Sequence, residues 1–354
     1  PPRSTLFPYT TLFRSEKYEL FEGIPSAKTV DERSPKEIIQ AVSDAGIVGM
    51  GGATFPTHVK LSPPPDKKID TVIINGAECE PYLTSDYRVM LEDTEVLLTG
   101  CGVLVKALGA SRCVIAVESN KKEAISTIQE NILYHKSSIS VIEVETKYPQ
   151  GSEKQIISVV TGREVPPGGL PADVGVVVIN IDTCAAIARA ITTGMPLITR
   201  VVTVTGSAFQ NCRNFRVRIG TPVSDIVEAV GGFTEEPVKV LLGGPMMGIA
   251  IFSLDVPVIK GTGAVLALTQ KDIGDKTTTN CTKCSKCVQV CPMRLLPTVI
   301  DKYCDTFDAE KLEKLNIMDC IECGSCTYIC PARKDPLQKI RVAKQKLLKL
   351  KKSK

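Results

Sequence analysis

Eight cysteines near the end of the chain stand in two copies of one spacing, Cys-x2-Cys-x2-Cys-x3-Cys-Pro: CTKCSKCVQVCP from Cys281 and CIECGSCTYICP from Cys320. Thiolates so spaced suit a [4Fe–4S] cubane: three from one tight turn reach three irons, and the fourth comes from elsewhere. Where two cubanes share one small domain, the fourth cysteine of each run serves the other cluster. That rule sorts Cys281, Cys284, Cys287 and Cys330 to one cluster, and Cys320, Cys323, Cys326 and Cys291 to the second. Pro292 and Pro331 stop the chain from continuing as helix after the last ligand. Zinc is the rival metal, but its four-cysteine sites usually pair two separated CxxC knuckles, and the triple-plus-one pattern is not that arrangement.

Two cubanes pass single electrons, so chemistry on an organic substrate needs a converter of electron pairs, which a flavin supplies. Three stretches could hold one. In GMGGATFPTHVKL, residues 49–61, glycines let the backbone approach a ligand closely and Lys60 could meet a phosphate. A helix precedes this loop and its spacing is not GxGxxG, so a dinucleotide fingerprint is excluded and a structural turn is the competing reading. NGAECEPYLTSDYR, residues 75–88, leaves a strand at its carboxyl end, where open α/β sheets bind ligands; a solvated acidic turn competes with a site. In YPQGSEKQ, residues 148–155, Glu153 reads first as an acidic residue in the opening turn of a helix.

The elements that must carry these stretches follow from pattern. Ser34 caps and Pro35 opens a helix that Gly46 stops. TVIING is a buried strand, and strand and helix then alternate through CVIAV, residues 121–134, DVGVVVIN and a helix over 183–194, which predicts a largely parallel sheet. After Pro196, RVVTVTG, FRVRIG, a short helix over 223–231 and VKVLLGG read as a compact β-rich module. The chain has 354 residues, 43% of them hydrophobic and 23% charged, enough for two or three ordinary globular domains. No apolar run is long enough to cross a bilayer and no export signal opens the chain, so 14 cysteines point to metal rather than disulfides. The other six cysteines (Cys79, Cys101, Cys113, Cys184, Cys212, Cys304) read as small buried apolar residues. A formal charge of +4 with 5% aromatic residues excludes a nucleic-acid binder. Residues 6–15, LFPYTTLFRS, resemble the translation of a sequencing adapter, so the natural chain is expected to start differently.

Taken together, in order and spacing, the three stretches and the continuation GREVPPGGLPADVGVVVINIDT resemble the flavin- and NADH-binding subunit of respiratory complex I. From residue 34 to residue 346 the chain more closely resembles the C subunits of Rnf complexes, ion-translocating ferredoxin:NAD oxidoreductases, with the β-rich module similar to the ubiquitin-like soluble-ligand-binding type. The resemblance implies an α/β flavin/NADH-binding domain, a small β-grasp-like module and a C-terminal α-helical two-cluster ferredoxin-like domain. It places Gly49, Gly51 and Gly52 along FMN, with Ala53 and Phe55 toward the dinucleotide and Lys60 near the flavin. Asn75, Glu78 and Cys79 match flavin-contacting positions, Glu80 and Glu153 positions near NADH, and Asn180 and Thr183 the FMN phosphate end. Met50 and Thr54 replace the arginine and glycine of complex I, Cys79 replaces its serine, and the barrel-like domain that usually opens Rnf C subunits is missing.

The implied function is a peripheral electron-transfer subunit on the cytoplasmic face of a bacterial inner membrane. It exchanges hydride with NAD(H) through FMN and passes electrons through two [4Fe–4S] clusters to partner subunits, with ferredoxin an indirect partner and membrane contact made through the partners. Hydride transfer needs positioning rather than a base, so no catalytic proton-transfer residue is nominated, and His58 reads as a surface or packing residue. Alternatives are a corrinoid reductase of propanediol microcompartments and a non-catalytic adaptor, for which Met50 and Thr54 are the foothold. The expected boundaries are 1–15 adapter-like peptide, 16–32 remnant linker, 33–197 FMN/NADH domain and 198–252 β-grasp-like module. A linker over 253–280, the cluster domain over 281–336 and a basic tail over 337–354 complete them. The tail reads as a frayed, solvated terminus, or alternatively as an amphipathic helix for an anionic membrane surface or a partner.

Overall fold

The structure, a computed structural model, describes residues 29–135, 138–274 and 277–352; the adapter-like segment and most of the remnant linker lie outside the described residues. The chain forms two compact units. The first runs to Val165 and includes Leu170–Gly244 and Gly248–Gln270; the second comprises Pro166–Gly169, Pro245–Met247 and the chain from Lys271.

In the first unit, strands β1 (Thr71–Gly76), β2 (Arg112–Glu118), β3 (Ser140–Val144) and β4 (Val176–Asn180) make a parallel sheet in the order β3-β2-β1-β4. The runs of β1, β2 and β4 are buried on both faces, as a parallel sheet covered by helices requires, while the edge strand β3 is partly exposed. Val72, Ile74, Ile115, Val117, Val177 and Ile179 turn to the larger core, built with helices Pro35–Asp44, Thr94–Leu108 and Ile181–Thr193. The alternate residues Ile73, Ala116, Val176 and Val178 face the opposite layer, where helix Glu153–Thr161 contributes Ile156 and Ile157. Ser34 caps the first helix in a reciprocal capping box with Glu37.

A second sheet in the same unit has the order β6-β5-β9-β7-β8, from β5 (Thr199–Thr205), β6 (Arg213–Arg218), β7 (Lys239–Leu242), β8 (Ile249–Ile251) and β9 (Ala264–Leu268). Helix Val223–Ala229 packs Ile226 and Val227 onto Val202, Val204, Phe215, Val217 and Val265, the single helix across a mixed sheet of a β-grasp. Strand β9 corrects the expected linker over 253–280: AVLAL pairs between β5 and β7, and all five residues are buried. Alanine and leucine have weak strand preference, so the run carried no local signal, and long-range pairing decided its conformation.

The second unit repeats one backbone path. Lys283 and Glu322, Ser285 and Gly324, and Arg294 and Arg333 share left-handed φ values at matching positions, and Pro297 and Pro336 each open a helix. The second of these, Pro336–Lys352, corrects the frayed-tail reading. Leu337, Ile340, Ala343 and Leu347 are buried, the last three in the unit's core with Ile300, Leu312 and Ile317, so one apolar face of the helix is covered while Leu348 and Leu350 stay exposed. Among the described residues, no helix is long and apolar enough to cross a membrane.

Polar contacts tie the two sheets of the first unit together. Asp93, between helices Ser85–Glu92 and Thr94–Leu108, accepts hydrogen bonds of 2.5 Å from both Arg189 and Arg216 of β6, with its side chain 18% exposed. Burial alone would raise the Asp93 carboxyl, but the two guanidinium groups outweigh it and hold its pKa below the ordinary value. A depressed carboxyl stabilises the fold above the unfolded pKa of about 3.9, and the contribution is lost as pH falls through the lower folded value. Asp93→Ala is expected to lower stability by about 2 kcal/mol at neutral pH, and by less as the solution is acidified below about pH 4. Urea midpoints at the two pH values check this; an equal loss at both would contradict it.

Candidate functional site

The expected flavin residues gather at the carboxyl ends of β1 and β4. Asn75 donates to the Gly151 carbonyl at 2.7 Å and accepts from the Ala77 amide at 3.1 Å, which ties the strand end to the loop over 148–152. A Cβ on Gly151 would lie 2.3 Å from the Ala77 carbonyl oxygen, so only glycine fits there. The Gly151 amide in turn donates to Cys79 Sγ at 3.4 Å. Burial pushes the Cys79 thiol up to about 11, with Glu118 and Glu80 adding to a shift that the Gly151 bond opposes, so this cysteine stays a neutral thiol.

The glycine loop closes on itself through Gly49 N to Phe55 O at 2.8 Å and Thr54 N to Gly49 O at 3.0 Å. Residues 51–55 are exposed, Phe55 half so, and Gly52 has φ +109°. Gly51 backs onto Asn180, and the Met50 amide donates to Thr183 Oγ1 at 2.9 Å. Met50 itself is 3% exposed and points into the core, so its departure from the complex I pattern is a packing feature, not a lost contact on the loop's open face. Thr54 takes a left-handed φ of 51°, a conformation that favours glycine.

Asn180 caps helix Ile181–Thr193 by accepting from the Asp182 and Thr183 amides, and it donates to Asp86 Oδ2 at 2.6 Å. The helix thus begins two residues before the expected start, and a helix N-terminus faces the glycine loop, a suitable place for a phosphate. Lys60 and Glu153, assigned to different ligands by resemblance, form an ion pair with each other, and Lys60 also donates to the Val178 carbonyl. Glu78 accepts from the Ser85 hydroxyl and the Asp86 and Tyr87 amides, which fixes the start of helix Ser85–Glu92. Glu80 stands apart from this set and packs against Gly244, whose Cβ would clash with it at 1.9 Å. Beyond the ends of β1, β2 and β3 lies a cavity of about 450 Å³, with Glu78, Cys79, Glu80, Glu118, Tyr148 and Arg213 in its wall.

Sequence reasoning missed Asp86, Asp182, Arg200 and Glu118. Arg200 and Glu118 had a signal: Arg200 is the lone charge of β5 and Glu118 closes the apolar run of β2, yet they are 2% and 1% exposed. Arg200 pairs with Asp182 and donates to the Met50 carbonyl at 3.1 Å. Together, an exposed glycine loop, a capped helix N-terminus and neutral donors at the edge of a parallel sheet fit a mononucleotide with a flat ring.

In the second unit Cys330 lies close enough to Cys287 to act on its thiol, which burial raises first. Cys291 acts likewise on Cys320 and Cys326; burial, then the neighbouring thiols of its own run, push Cys326 up to about 12. The fourth cysteine of each run is thus within electrostatic reach of the other run. Backbone amides reach sulfur at 3.4 Å from Lys283 to Cys281, Glu322 to Cys320 and Leu295 to Cys291, the donors that thiolate ligands of a cluster use. Among the described residues, no three histidine, cysteine or acidic groups converge to hold a single metal ion. Of the six other cysteines Cys101, Cys113 and Cys184 are buried as expected, whereas Cys212 is exposed and Cys79 and Cys304 are half-buried.

Asn180→Ala removes the helix cap and the partner of Asp86. The expected loss is about 1–2 kcal/mol, seen as a lower urea midpoint with an unchanged slope; a midpoint within error of wild type would contradict the capping role.

Family models match three segments: the Nuo51 FMN-binding domain over residues 42–189, the SLBB domain over 201–250 and the 4Fe-4S dicluster domain over 273–344. The chain thus carries an FMN-binding domain and a domain for two iron–sulfur clusters. Its fold is similar to that of the NAD+-reducing [NiFe]-hydrogenase in the air-oxidized state, with a TM-score of 0.64 at 18% identity over 92% of this chain and 64% of that one. Over 93% of its length it is 49% identical to the C subunit of the proton-translocating ferredoxin:NAD(+) oxidoreductase complex of Clostridium ljungdahlii, spanning 72% of that protein. It is also 49% identical to the Na(+)-translocating counterpart of Acetobacterium woodii, over 92% of this chain and 74% of that protein. The C subunit of the ion-translocating oxidoreductase complex of Rhodobacter capsulatus is 46% identical over 81% of this chain and 56% of its own. With the glycine loop, the two cysteine runs and these likenesses in hand, the chain belongs to the family of C subunits of Rnf-type ion-translocating ferredoxin:NAD oxidoreductase complexes.

Proposed function

We propose that this chain exchanges hydride with NAD(H) at its first unit and delivers electrons one at a time, through two [4Fe–4S] clusters in its second, to partner subunits of a membrane complex. The observation that carries the reading is the convergence of the exposed glycine loop, Asn75 and Asn180 on one edge of a parallel sheet, in a chain that also holds two crossed cysteine runs. Bound FMN would supply the conversion of electron pairs to single electrons. The chain's own residues do the positioning. Gly49, Gly51 and Gly52 let the backbone lie against a flat ring, with Ala53 and Phe55 toward the dinucleotide. Asn180 and Thr183 present the capped helix start to a phosphate, and Lys60 is held in place by Glu153. Cys79, kept protonated, offers a neutral wall beside the ring.

In this reading Cys281, Cys284, Cys287 and Cys330 hold one cluster and Cys320, Cys323, Cys326 and Cys291 the other. The unit sits on the cytoplasmic face of the bacterial inner membrane through its partners, with ferredoxin an indirect partner, and the ion moves through other subunits. Relatives named for ferredoxin:NAD(+) oxidoreductase complexes favour this over a corrinoid reductase, and the buried side chain of Met50 removes half the foothold of a vestigial adaptor.

After anaerobic reconstitution with iron, sulfide and FMN, NADH is expected to bleach the flavin and raise a reduced-cluster EPR signal. Clusters that dithionite reduces and NADH does not, in protein with FMN bound, would refute hydride exchange. Cys330→Ser is expected to take bound iron from about eight to about four atoms per chain while the cluster on Cys320, Cys323 and Cys326 survives. Loss of that cluster instead would refute the crossed ligand sets.

A further inference from the structure

A row of carboxyl groups leads from the cavity toward the glycine loop, and the flavin chemistry proposed above does not use it. Glu118, at the end of β2, is 1% exposed, stands in the cavity wall, and its Oε1 has no hydrogen-bond partner. Glu78 at the end of β1 lies within its field and is held by the Ser85 hydroxyl and the Asp86 and Tyr87 amides. Asp86 follows, bonded to Asn180, and then Asp182, whose partner Arg200 reaches the loop at Met50. The cations facing this row are Lys121, near Glu118 and Glu78, and Arg200, near Asp86 and Asp182. Glu80, the Cys79 thiol, Lys147 and Arg213 share the cavity.

The row holds more carboxyls than cations, so it cannot be fully ionised. Burial raises Glu118 to about 7, with Lys121 opposing and Glu78 adding to the shift. Burial also raises Glu78, against Lys121 and the hydrogen bonds it accepts, and raises Asp86, with Glu78 and Asp182 adding. A buried oxygen without a partner is costly, and packing does not demand an acid there, since glutamine would fill the same volume.

The flavin reaction has a use for such a group. A hydride from NADH brings two electrons to FMN, and full reduction takes one further proton. Return of the two electrons singly to the clusters releases two protons, so one proton leaves per NADH oxidised. We propose that Glu118 is the proton-exchange group of the flavin site, passing protons between the water of the cavity and the Glu78 carboxyl at the end of β1. The proposal rests on the flavin reading above and makes Glu118 act through Glu78, without itself touching the ring.

The test uses the full chain loaded with FMN and clusters, as wild type, Glu118→Gln and Glu118→Asp. Two signals are read: the infrared C=O stretch of protonated carboxyls in the oxidised protein, and the FMN midpoint potential across about two pH units either side of 7. Wild type is expected to lose a carboxyl band as pH rises through about 7. Above that point the ionised carboxyl takes up a proton with reduction, so the potential falls more steeply with pH. Glu118→Gln should lack both the band and the inflection. Glu118→Asp, which keeps the acid on a shorter stem, should show the inflection displaced. Band and inflection unchanged in Glu118→Gln at full flavin content, or an undisplaced inflection in Glu118→Asp should the glutamine variant fail to fold, would overturn the proposal. Wild type that takes up no FMN would overturn the flavin reading and this one with it, and flavin content tells the two failures apart.

Discussion

Arg200 enters β5 as the first charge of a β-branched run and is almost wholly buried. One arm of its guanidinium meets Asp182 in the first turn of helix Ile181–Thr193, and the other donates to the carbonyl of Met50. Three segments far apart in sequence are fixed by that one group: the glycine loop, the helix start that faces it, and the first strand of the β-grasp sheet. A charge at this depth is tolerable only because it is paired, and stripping one partner from such a pair costs about 3–5 kcal/mol. The open face of the loop, from Gly51 to Phe55, has its position because its buried neighbour Met50 is held from behind, by Arg200 at the carbonyl and Thr183 at the amide.

What the sequence disclosed divides along the range of the forces involved. Strands β1, β2 and β4 were legible because each is a β-branched run buried on both faces, and the first helix because its Ser34 cap is local; β3, partly exposed, carried no such signal, and Asn180 reads as a strand end although it caps a helix. The cysteine runs were legible because cluster ligands obey a spacing rule within a dozen residues. Strand β9 was not, since AVLAL has no preference strong enough to declare itself and is made a strand by pairing with β5 and β7. The last helix failed for a related reason. Its many lysines suggest a solvated end, while Lys339, Lys344 and Lys351 are drawn to Asp305, Glu322 and Glu313, and Ile340, Ala343 and Leu347 are buried in the core.

The candidate site shows the same division. Glycines and acidic residues at strand ends pointed to the carboxyl ends of β1 and β4, where the structure gathers them, but which side chains pair could not be read from them. Lys60 and Glu153 hold each other, and Glu78 fixes a helix start. Residues given separate ligands by family resemblance thus hold one another or the backbone in place, and the pre-organisation this provides is what a positioning mechanism needs.

The repeated backbone of the second unit has a further consequence for how the protein is made. Because Cys330 is within electrostatic reach of the first run and Cys291 of the second, each metal centre would fasten both halves of the repeat, like two stitches that each pass through both layers of cloth. The free energy of binding either centre is then also the free energy of bringing the halves together. Maturation would then be cooperative, the first centre inserted presetting the geometry for the second. Damage would be cooperative as well, since oxygen that dissolved one centre would loosen the hold on its neighbour.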